Sequence, residues 1–288
     1  MVNLSTQYTP TIKQSTLNLL FPQWQGSGNV ALYKGAKQLR SCFPAEETFI
    51  EVPVASTYSI TVTENILGLS QISSQLISVS NTITTLSPER IFTIGGDCSV
   101  EIAPVSFLNQ KHNGIAVVWL DAHGDLNTPT SSPSKHFHGM PLRSLLGQGL
   151  DCITKQAFST LIPSQIFLVG TRELDRPEKD FISQNGLRIF SGSSVNEGHN
   201  SQLLSAIKKA GFHKIYIHLD LDVIDPTDFP YVACPTPKGI RIKQLKQLLL
   251  ELTNSFESVG ASILEFTPTG PNTDGALVAS ALADIVRK

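Results

Sequence analysis

The sequence predicts an α/β protein with a mainly parallel sheet, because short apolar runs alternate with helix-like amphipathic stretches along its 288 residues. A second observation concerns the ends of four apolar runs, where polar clusters follow Ile94, Leu120, Leu219 and Leu264. Functional groups gather at such strand ends both in eight-stranded barrels and in open parallel sheets. The periodicity by itself leaves these two architectures open.

Apolar patterning places the individual elements. Runs typical of strands are Leu17–Pro22, Thr48–Val54, Arg90–Ile94, Ile115–Leu120, Ile166–Val169, Leu187–Phe190, Lys214–Leu221 and Ser262–Leu264. Helical spacing predicts helices at Val30–Leu39, Ile66–Leu86, Leu142–Leu146, Gln202–Ala210, Ile242–Leu252 and Ala276–Val286. The polar stretch Thr128–Ser134 and the charged stretch Arg172–Lys179 are predicted loops. Nothing resembling a linker or repeat divides the chain, so residues 1–288 are predicted to form a single domain.

Composition excludes several classes of function. A hydrophobic content of 41% and a charged content of 16% are ordinary for a globular protein, and a net charge of −2 argues against a nucleic-acid partner. Residues 1–25 lack a signal-peptide pattern, and no apolar run approaches the roughly 18–20 residues that span a bilayer. We therefore expect no membrane contact. The scattered spacing of the four cysteines, Cys42, Cys98, Cys152 and Cys234, predicts reduced thiols in a cytoplasmic protein.

The stretch Val117–Asn127 carries the first chemical signal. A buried strand leads into Asp121, His123 and Asp125, which are spaced by two. If the strand stayed extended through them, all three side chains would point the same way. Crowded carboxylates repel one another unless a positive charge lies among them, and a divalent metal ion is the usual solution. The sequence therefore predicts a metal site at the carboxyl end of this strand.

Five motifs follow one another along the chain: Gly95-Gly96-Asp97-Cys98-Ser99, Asp121-Ala122-His123-Gly124-Asp125-Leu126-Asn127, His138-Gly139, Asp220-Leu221-Asp222-Val223-Ile224-Asp225-Pro226 and Glu265. In this order they resemble the motifs of the ureohydrolases, the family that includes arginase and agmatinase. Taken singly, three of them have a plain structural explanation: a turn at the Asp220 motif, a packed loop histidine at His138 and a solvated strand end at Glu265. Their joint occurrence over nearly the whole chain favours the metal site.

The resemblance implies a three-layer α/β/α fold with a mainly parallel sheet of about eight strands, and two Mn²⁺ ions that activate a bridging water to attack a guanidinium carbon. Carboxylates with imidazole suit Mn²⁺, and paired ions generate a nucleophile at neutral pH. The implied metal ligands are Asp121 and Asp220 to both ions, His123 and Asp222 to one, and Asp125 to the other. The implied catalytic residues are Asp125, His138 as proton shuttle and Glu265 as guanidinium acceptor. Relatives of this kind are commonly homo-oligomers.

Cys98 departs from the family, which has a histidine ligand at this position on the ion that Asp125 serves. Two interpretations stand: a buried apolar residue without a metal role, or a thiolate ligand that favours Zn²⁺, Fe²⁺, Ni²⁺ or Co²⁺. On the first interpretation the Asp125-side ion is weakened or missing. His218 precedes Asp220 by two residues and would face the same way on a strand. It is either a packed histidine at a strand end, or a residue that supports or replaces a ligand of the altered ion site.

The predicted substrate end comes from spacing. Asn127 and Ser134 have the separation of the residues that bind the substrate's α-carboxylate in arginase, while Asp175 and Glu178 match positions near the α-amino group. Cys234 stands where the family generally has a threonine beside the guanidinium. Spacing favours an amino-acid-like guanidino compound, and the side chains leave arginine as one candidate.

The sequence therefore predicts a hydrolase that cleaves a C–N bond in a linear amidine, most simply a guanidino compound. Two alternatives remain. One is a mononuclear metal hydrolase acting on another amide or amidine through Asp121, His123 and Asp222 alone. The other is a catalytically silent relative that binds a ligand or regulates a partner.

Overall fold

Eight parallel strands form one open sheet in the computed structural model, which describes residues 16–57, 59–268 and 274–287. The strands are β1 (Thr16–Phe21), β2 (Ile50–Glu51), β5 (Arg90–Gly95), β6 (Ala116–Leu120), β7 (Ile166–Val169), β8 (Arg188–Phe190), β9 (Lys214–Asp220) and β10 (Glu257–Leu264). Their order is β2-β1-β5-β10-β9-β6-β7-β8, and every pairing is parallel. The short strands β3 (Val62–Thr63) and β4 (Ile66–Leu67) form a separate antiparallel hairpin.

Helices cover both faces of the sheet. They are α1 (Ala31–Arg40), α2 (Leu69–Leu86), α3 (Ile102–Lys111), α4 (Pro141–Leu145), α5 (Asp151–Thr154), α6 (Arg176–Asn185), α7 (Gly192–Asn196), α8 (Ser201–Lys209), α9 (Ile242–Ser255) and α10 (Asp274–Val286). One apolar core joins the sheet to α2 to α6, and the other joins it to α1 and α7 to α10. Alternate residues of β6 enter opposite cores, and all five are buried, as expected for a parallel strand covered on both faces. The predicted three-layer α/β/α fold is confirmed.

Strand register brings the four polar strand ends to one level. Ile263 pairs with Ile94, Leu264 with Asp220, and Leu120 with Leu219. From β6 the chain continues through β7 and β8 on one side of the sheet. It then returns to β9, which lies beside β6, and goes on to β10 on the other side. Such a point in an open α/β sheet opens a crevice at the carboxyl ends of the strands.

Sequence patterning missed the short elements β3, α5 and α7 and was also wrong at three longer ones. The predictions missed α3, whose residues Ile102 to Asn109 are all buried and therefore lack an amphipathic period. The predicted loop Arg172–Lys179 contains the start of α6, signalled by Pro177 in its first turn. The predicted helix Ile66–Leu86 begins only at Leu69, because Ile66 belongs to β4 and Gly68 takes a left-handed φ of 68°.

Two sequence expectations concern the surroundings of the protein. Among the helices of the described residues, none combines the length and apolarity needed to cross a membrane. All four cysteines fall within the described ranges and are free, as their scattered spacing predicts. The expectation about a signal peptide in residues 1–25 falls largely on residues 1–15, which lie outside the described residues.

Candidate metal centre

The exit of β6 is a turn rather than a continued strand. β6 ends at Leu120, and Asp125 has a left-handed φ of 52°, so the extended alternation expected through Asp125 does not occur. Carboxylates fold the turn instead: the Ala122 N–H donates to Asp222 Oδ1 at 3.0 Å, and the His123 N–H donates to Asp121 Oδ1 at 2.6 Å. The acidic side chains converge because their own hydrogen bonds shape the loop that carries them.

The exits of β9 and β10 use the same device. Asp220 accepts a hydrogen bond from the Asp222 N–H at 2.7 Å and thereby caps a short 3-10 helix, Leu221–Val223. Glu265 follows β10 with a left-handed φ of 62°, while its N–H donates to the Gly96 carbonyl at 2.8 Å. Its Oε1 accepts from the Cys98 N–H at 3.3 Å. The last two bonds hold the β5 and β10 exits together.

Three groups of donor atoms lie close enough for metal binding, each with its atoms within 4.8 Å of one another. They are Cys98 with Asp121, Asp125 and His218; Cys98 with Asp220 and Glu265; and Asp121 with His123 and Asp222. Asp121 belongs to two groups, and so does Cys98. Overlapping groups of this kind place potential ion positions next to one another and fit a binuclear centre.

The electrostatics of the acidic cluster favours a cation. Burial, followed by the charge of neighbouring carboxylates, raises the pKa of Asp125, Asp220 and Asp222. Oδ2 of Asp125 is buried and has no hydrogen-bond partner among the described residues. An orphaned carboxylate oxygen within a ring of acids is a ligand that fits a divalent ion. The residues present therefore suit the metals that the resemblance implies.

The histidine beside this cluster is held by two acids. His123 Nδ1 lies 2.9 Å from Asp222 Oδ2 and 3.5 Å from Asp121 Oδ1. Burial lowers the pKa of His123, but the hydrogen bonds and charges of both acids outweigh burial and raise it. The pKa of Asp121 falls although burial opposes this, because His123 and His218 both bond to its carboxylate. A metal ion would take over the role that the imidazole proton has here.

His138 and Glu265 form a second pair on the cavity side. His138 Nδ1 lies 3.1 Å from Glu265 Oε1. Burial lowers the pKa of His138, but the hydrogen bond and charge of Glu265 raise it overall. Burial and then the charge of Glu265 raise the pKa of the neighbouring Asp97 to about 6. A titratable imidazole thus sits beside a carboxylate that faces the cavity.

A cavity of about 220 Å³ joins the acidic cluster to the predicted substrate end. Its lining includes all five predicted substrate residues, namely Asn127, Ser134, Asp175, Glu178 and Cys234. Asn127 Nδ2 donates to Asp175 Oδ2 at 2.9 Å, so these two act together. The Glu178 carboxylate instead accepts from the N–H groups of Leu126 and Asp175, both at 2.9 Å, which commits it to the loop backbone. Ser132, Gly139 and Glu173 also line the cavity, although the sequence assigned no role to them.

His218 lies inside the site and brings a residue that the sequence reasoning missed. Its Nδ1 lies 2.8 Å from Glu101 Oε1, and its Nε2 lies 3.5 Å from Asp121 Oδ2. Glu101 belongs to the short 3-10 helix Cys98–Glu101 and is fully buried. Only the fold reveals its position, since a glutamate after a strand-end motif usually faces solvent.

Comparison with known proteins assigns the chain to a family. A family model described as the arginase family matches residues 29–287. The chain belongs to the arginase family. An arginase of Staphylococcus aureus (strain MRSA252) is 32% identical over 180 residues, a match that covers 61% of this chain and 59% of that relative. The aligned segment thus spans less than two thirds of the length of this curated arginase.

Solved arginase-family structures share the whole fold. Entamoeba histolytica arginase in complex with L-ornithine covers 95% of this chain and 98% of its own, with a TM-score of 0.86 and 24% identity. Proclavaminate amidino hydrolase from Streptomyces clavuligerus covers 95% of this chain and 90% of its own, with a TM-score of 0.72 and 18% identity. These matches show that the chain has the arginase fold over nearly its whole length.

Proposed function

We propose that the protein hydrolyses a C–N bond of a linear guanidino compound and releases urea and an amine. The observation that carries this is the convergence of three overlapping donor groups on one cavity at the sheet's carboxyl edge, in a chain of the arginase family. Carboxylates and imidazole at neighbouring ion positions suit a metal hydrolase that generates its nucleophile from water.

The residues of the acidic cluster would act as ligands of two divalent ions, which are Mn²⁺ in the simplest case. Asp121 and Asp220 would contact both, His123 and Asp222 would complete one, and Asp125 with Cys98 would serve the other. When bound, the ions would supply Lewis acidity and lower the pKa of a water molecule toward neutrality. The orphaned oxygen of Asp125 supports this assignment.

Glu265 and His138 would handle the substrate and its proton. Glu265 offers a carboxylate that accepts hydrogen bonds from a planar guanidinium, and its charge matches that group. His138 lies 3.1 Å from the same carboxylate, so an imidazole proton is available where the leaving amine forms. Addition of water at the guanidinium carbon and proton transfer to the departing nitrogen break the C–N bond and give urea.

The far end of the cavity would recognise the rest of the substrate. Asn127 and Asp175 are hydrogen-bonded to each other, and Ser134 lines the same cavity. Amide and hydroxyl groups suit a carboxylate, while Asp175 and Glu173 suit an ammonium group. We therefore favour an amino-acid-like guanidino compound over smaller amidines as the substrate, and arginine is one candidate. We also expect a cytoplasmic homo-oligomer without nucleic-acid or membrane partners.

A urea-release screen tests the proposal. Purified protein loaded with Mn²⁺ is assayed with arginine, agmatine and shorter guanidino acids, and Asp222→Asn serves as the inactive control. We expect urea from at least one compound with the wild type and none with Asp222→Asn. Metal-loaded protein that releases urea from none of them contradicts the proposal.

Metal content then separates the alternatives. Cys98 in place of a histidine favours a second candidate, a mononuclear amide or amidine hydrolase that uses the compact group of Asp121, His123 and Asp222. Two ions per chain support the principal proposal, and one ion supports this alternative. Protein that binds no ion after reconstitution is a silent relative.

A further inference from the structure

His218 has two ring nitrogens with different surroundings. It lies on β9, two residues before Asp220, and is fully buried. Nε2 faces the acidic cluster, 3.9 Å from Cys98 Sγ and 3.5 Å from Asp121 Oδ2. Nδ1 faces away from the cluster toward Glu101 Oε1 at 2.8 Å. One nitrogen is therefore held by a carboxylate while the other points at candidate metal ligands.

Glu101 is itself anchored for this role. Its Oε2 accepts a hydrogen bond from the Tyr216 hydroxyl at 2.7 Å, and its Oε1 also accepts from Ser262 Oγ. These two partners, His218 and Glu101 itself are all buried. A histidine that binds a metal commonly donates its other N–H to a carboxylate, which fixes the tautomer and strengthens the ligand. Glu101 provides that carboxylate, so Nε2 can release its proton and offer its lone pair when an ion binds.

Aromatic packing fixes the orientation of the ring. The His218 imidazole stacks on the Trp119 indole with ring centroids 3.5 Å apart and planes 8° from parallel. Trp119 Nε1 in turn donates to Asp121 Oδ2 at 3.1 Å. A ligand locked by packing and hydrogen bonds holds its atom in place before the ion arrives. A histidine that only filled space in the core would need neither the buried carboxylate nor the stacked indole.

We propose that His218 is a ligand, through Nε2, of the ion on the Asp125 side and acts there together with Cys98. The histidine that the family carries at Cys98 is thus replaced by one on β9, two strands from β5 in the sheet, with Glu101 as its positioning residue. A site of thiolate, imidazole and carboxylate favours Fe²⁺, Co²⁺, Ni²⁺ or Zn²⁺ over Mn²⁺. The His123 side contains carboxylates and one imidazole and keeps a preference for harder ions.

A nucleophilic role for Cys98 fits the surroundings less well. Cys98, His218 and Glu101 stand in the order of a nucleophile, a base and an orienting acid. However, Cys98 Sγ lies 3.2 Å from Asp220 Oδ2, and Asp125 and Glu265 belong to the donor groups that contain it. A thiolate among carboxylates is destabilised unless it shares a cation with them. Metal ligation gives the thiolate that cation.

The first test uses the wild-type protein. Chelated protein is titrated with Co²⁺ and crystallised, and anomalous diffraction at the cobalt edge locates the ions. We expect two ions, one of them about 2.1 Å from His218 Nε2 and about 2.3 Å from Cys98 Sγ. An ion on the Asp125 side that His218 does not contact overturns the proposal, and so does a covalent adduct of metal-free protein with a guanidino substrate.

The second test compares variants by Co²⁺ affinity, ion count and sulfur-to-cobalt charge-transfer absorption. His218→Gln is expected to lose the second ion, and Glu101→Gln is expected to weaken it about 10–100-fold, the effect typical of a lost orienting partner. His199→Gln, at an exposed histidine outside the donor groups, is the matched control and should bind as the wild type does. Unchanged affinity in folded His218→Gln contradicts the proposal.

An exchange of residues tests the compensation itself. Cys98→His combined with His218→Ser restores the histidine at the family position, and the second site should then bind Mn²⁺ at least about 10-fold more tightly relative to Co²⁺. An unchanged Mn²⁺ to Co²⁺ preference in this double variant contradicts the compensation.

This inference rests on metal binding within the proposed function, but the two can fail separately. Wild type with a His218-bound ion and no urea release overturns the function alone. Urea release with both ions bound independently of His218 overturns the inference alone.

Discussion

Asp125 and Glu265 reach the candidate site through left-handed backbone conformations, with φ values of 52° and 62°. For residues other than glycine this conformation costs on the order of 1–2 kcal/mol. Strain of this kind accumulates where surrounding contacts fix a functional side chain. At both positions the backbone turns a carboxylate into the cluster that an extended strand would direct elsewhere. We therefore expect the backbone conformation of these two residues to be fixed by contacts with their neighbours rather than by their own conformational preferences.

His138→Asn tests the proton transfer at the scale of a single residue. The imidazole is expected to supply general acid catalysis, so its loss should lower kcat by about 100-fold. Urea release measured under saturating substrate gives kcat, and metal analysis of the same sample serves as the control. A variant that keeps both its ions and the wild-type kcat would show that His138 does not move the proton.

At the scale of elements, α1 is fitted against the segment that carries Glu265. A Cβ added at Gly35, in the middle of α1, would lie 1.7 Å from the Phe266 carbonyl oxygen, which neither backbone can avoid without moving. Glycine within a helix costs about 1 kcal/mol relative to alanine, so its presence here reflects this close approach.

Gly35→Ala should therefore destabilise the protein although alanine favours helices. Overpacking of this kind lowers the free energy of unfolding by about 1–3 kcal/mol. Urea denaturation measures the change, and Lys34→Ala, at the exposed neighbouring position, is the control with little expected effect. Equal stability of the two variants would contradict the close packing of α1 on the β10 exit.

The start of α6 separates a structural acid from a substrate-facing one. Glu178→Ala leaves the Leu126 N–H, whose residue is buried, without its acceptor and should cost about 1–3 kcal/mol of folding free energy. Asp175→Asn should instead keep the stability and raise the KM for an amino-acid-like substrate. Asp180→Ala, on the exposed side of α6, controls for lost charge. The division fails if Glu178→Ala unfolds no more easily than Asp180→Ala.

At the scale of the whole molecule, metal removal should lower thermal stability. Buried acids from β6 and β9 repel one another across the centre of the sheet, and a bound ion relieves that repulsion. A metal ion at a concentration of 100 times its dissociation constant adds about 2.7 kcal/mol to the free energy of unfolding. This gain corresponds to a rise of roughly 5–10 °C in Tm.

Thermal unfolding with chelator and then with added Mn²⁺ measures this effect. The gain should shrink on acidification, because protons compete with metal for carboxylate and imidazole ligands. Asp222→Asn should lose most of the gain. A Tm that does not respond to Mn²⁺ at neutral pH would contradict metal binding by the folded protein.

The α/β class, most strands and the motifs at the strand ends could be predicted from the sequence. These follow from local patterns, since an apolar run such as Ile115–Leu120 and the polar residues after it are read within a few positions. Sequence patterning missed α3, whose uniform burial erases the amphipathic signal. It also suggested His218 from alternation along one strand, and β9 does carry both His218 and Asp220.

Which donor atoms lie together depends on the tertiary fold and could not be predicted from local patterns. The order β5-β10-β9-β6 places Cys98 and His218 beside each other, although they are 120 residues apart in the chain. The inward position of Glu101 and the pairing of His138 with Glu265 likewise depend on contacts between strands and loops. Local pattern encodes that a residue ends a strand, whereas the meeting of strand ends depends on topology and register, which arise only when both helical layers pack on the sheet.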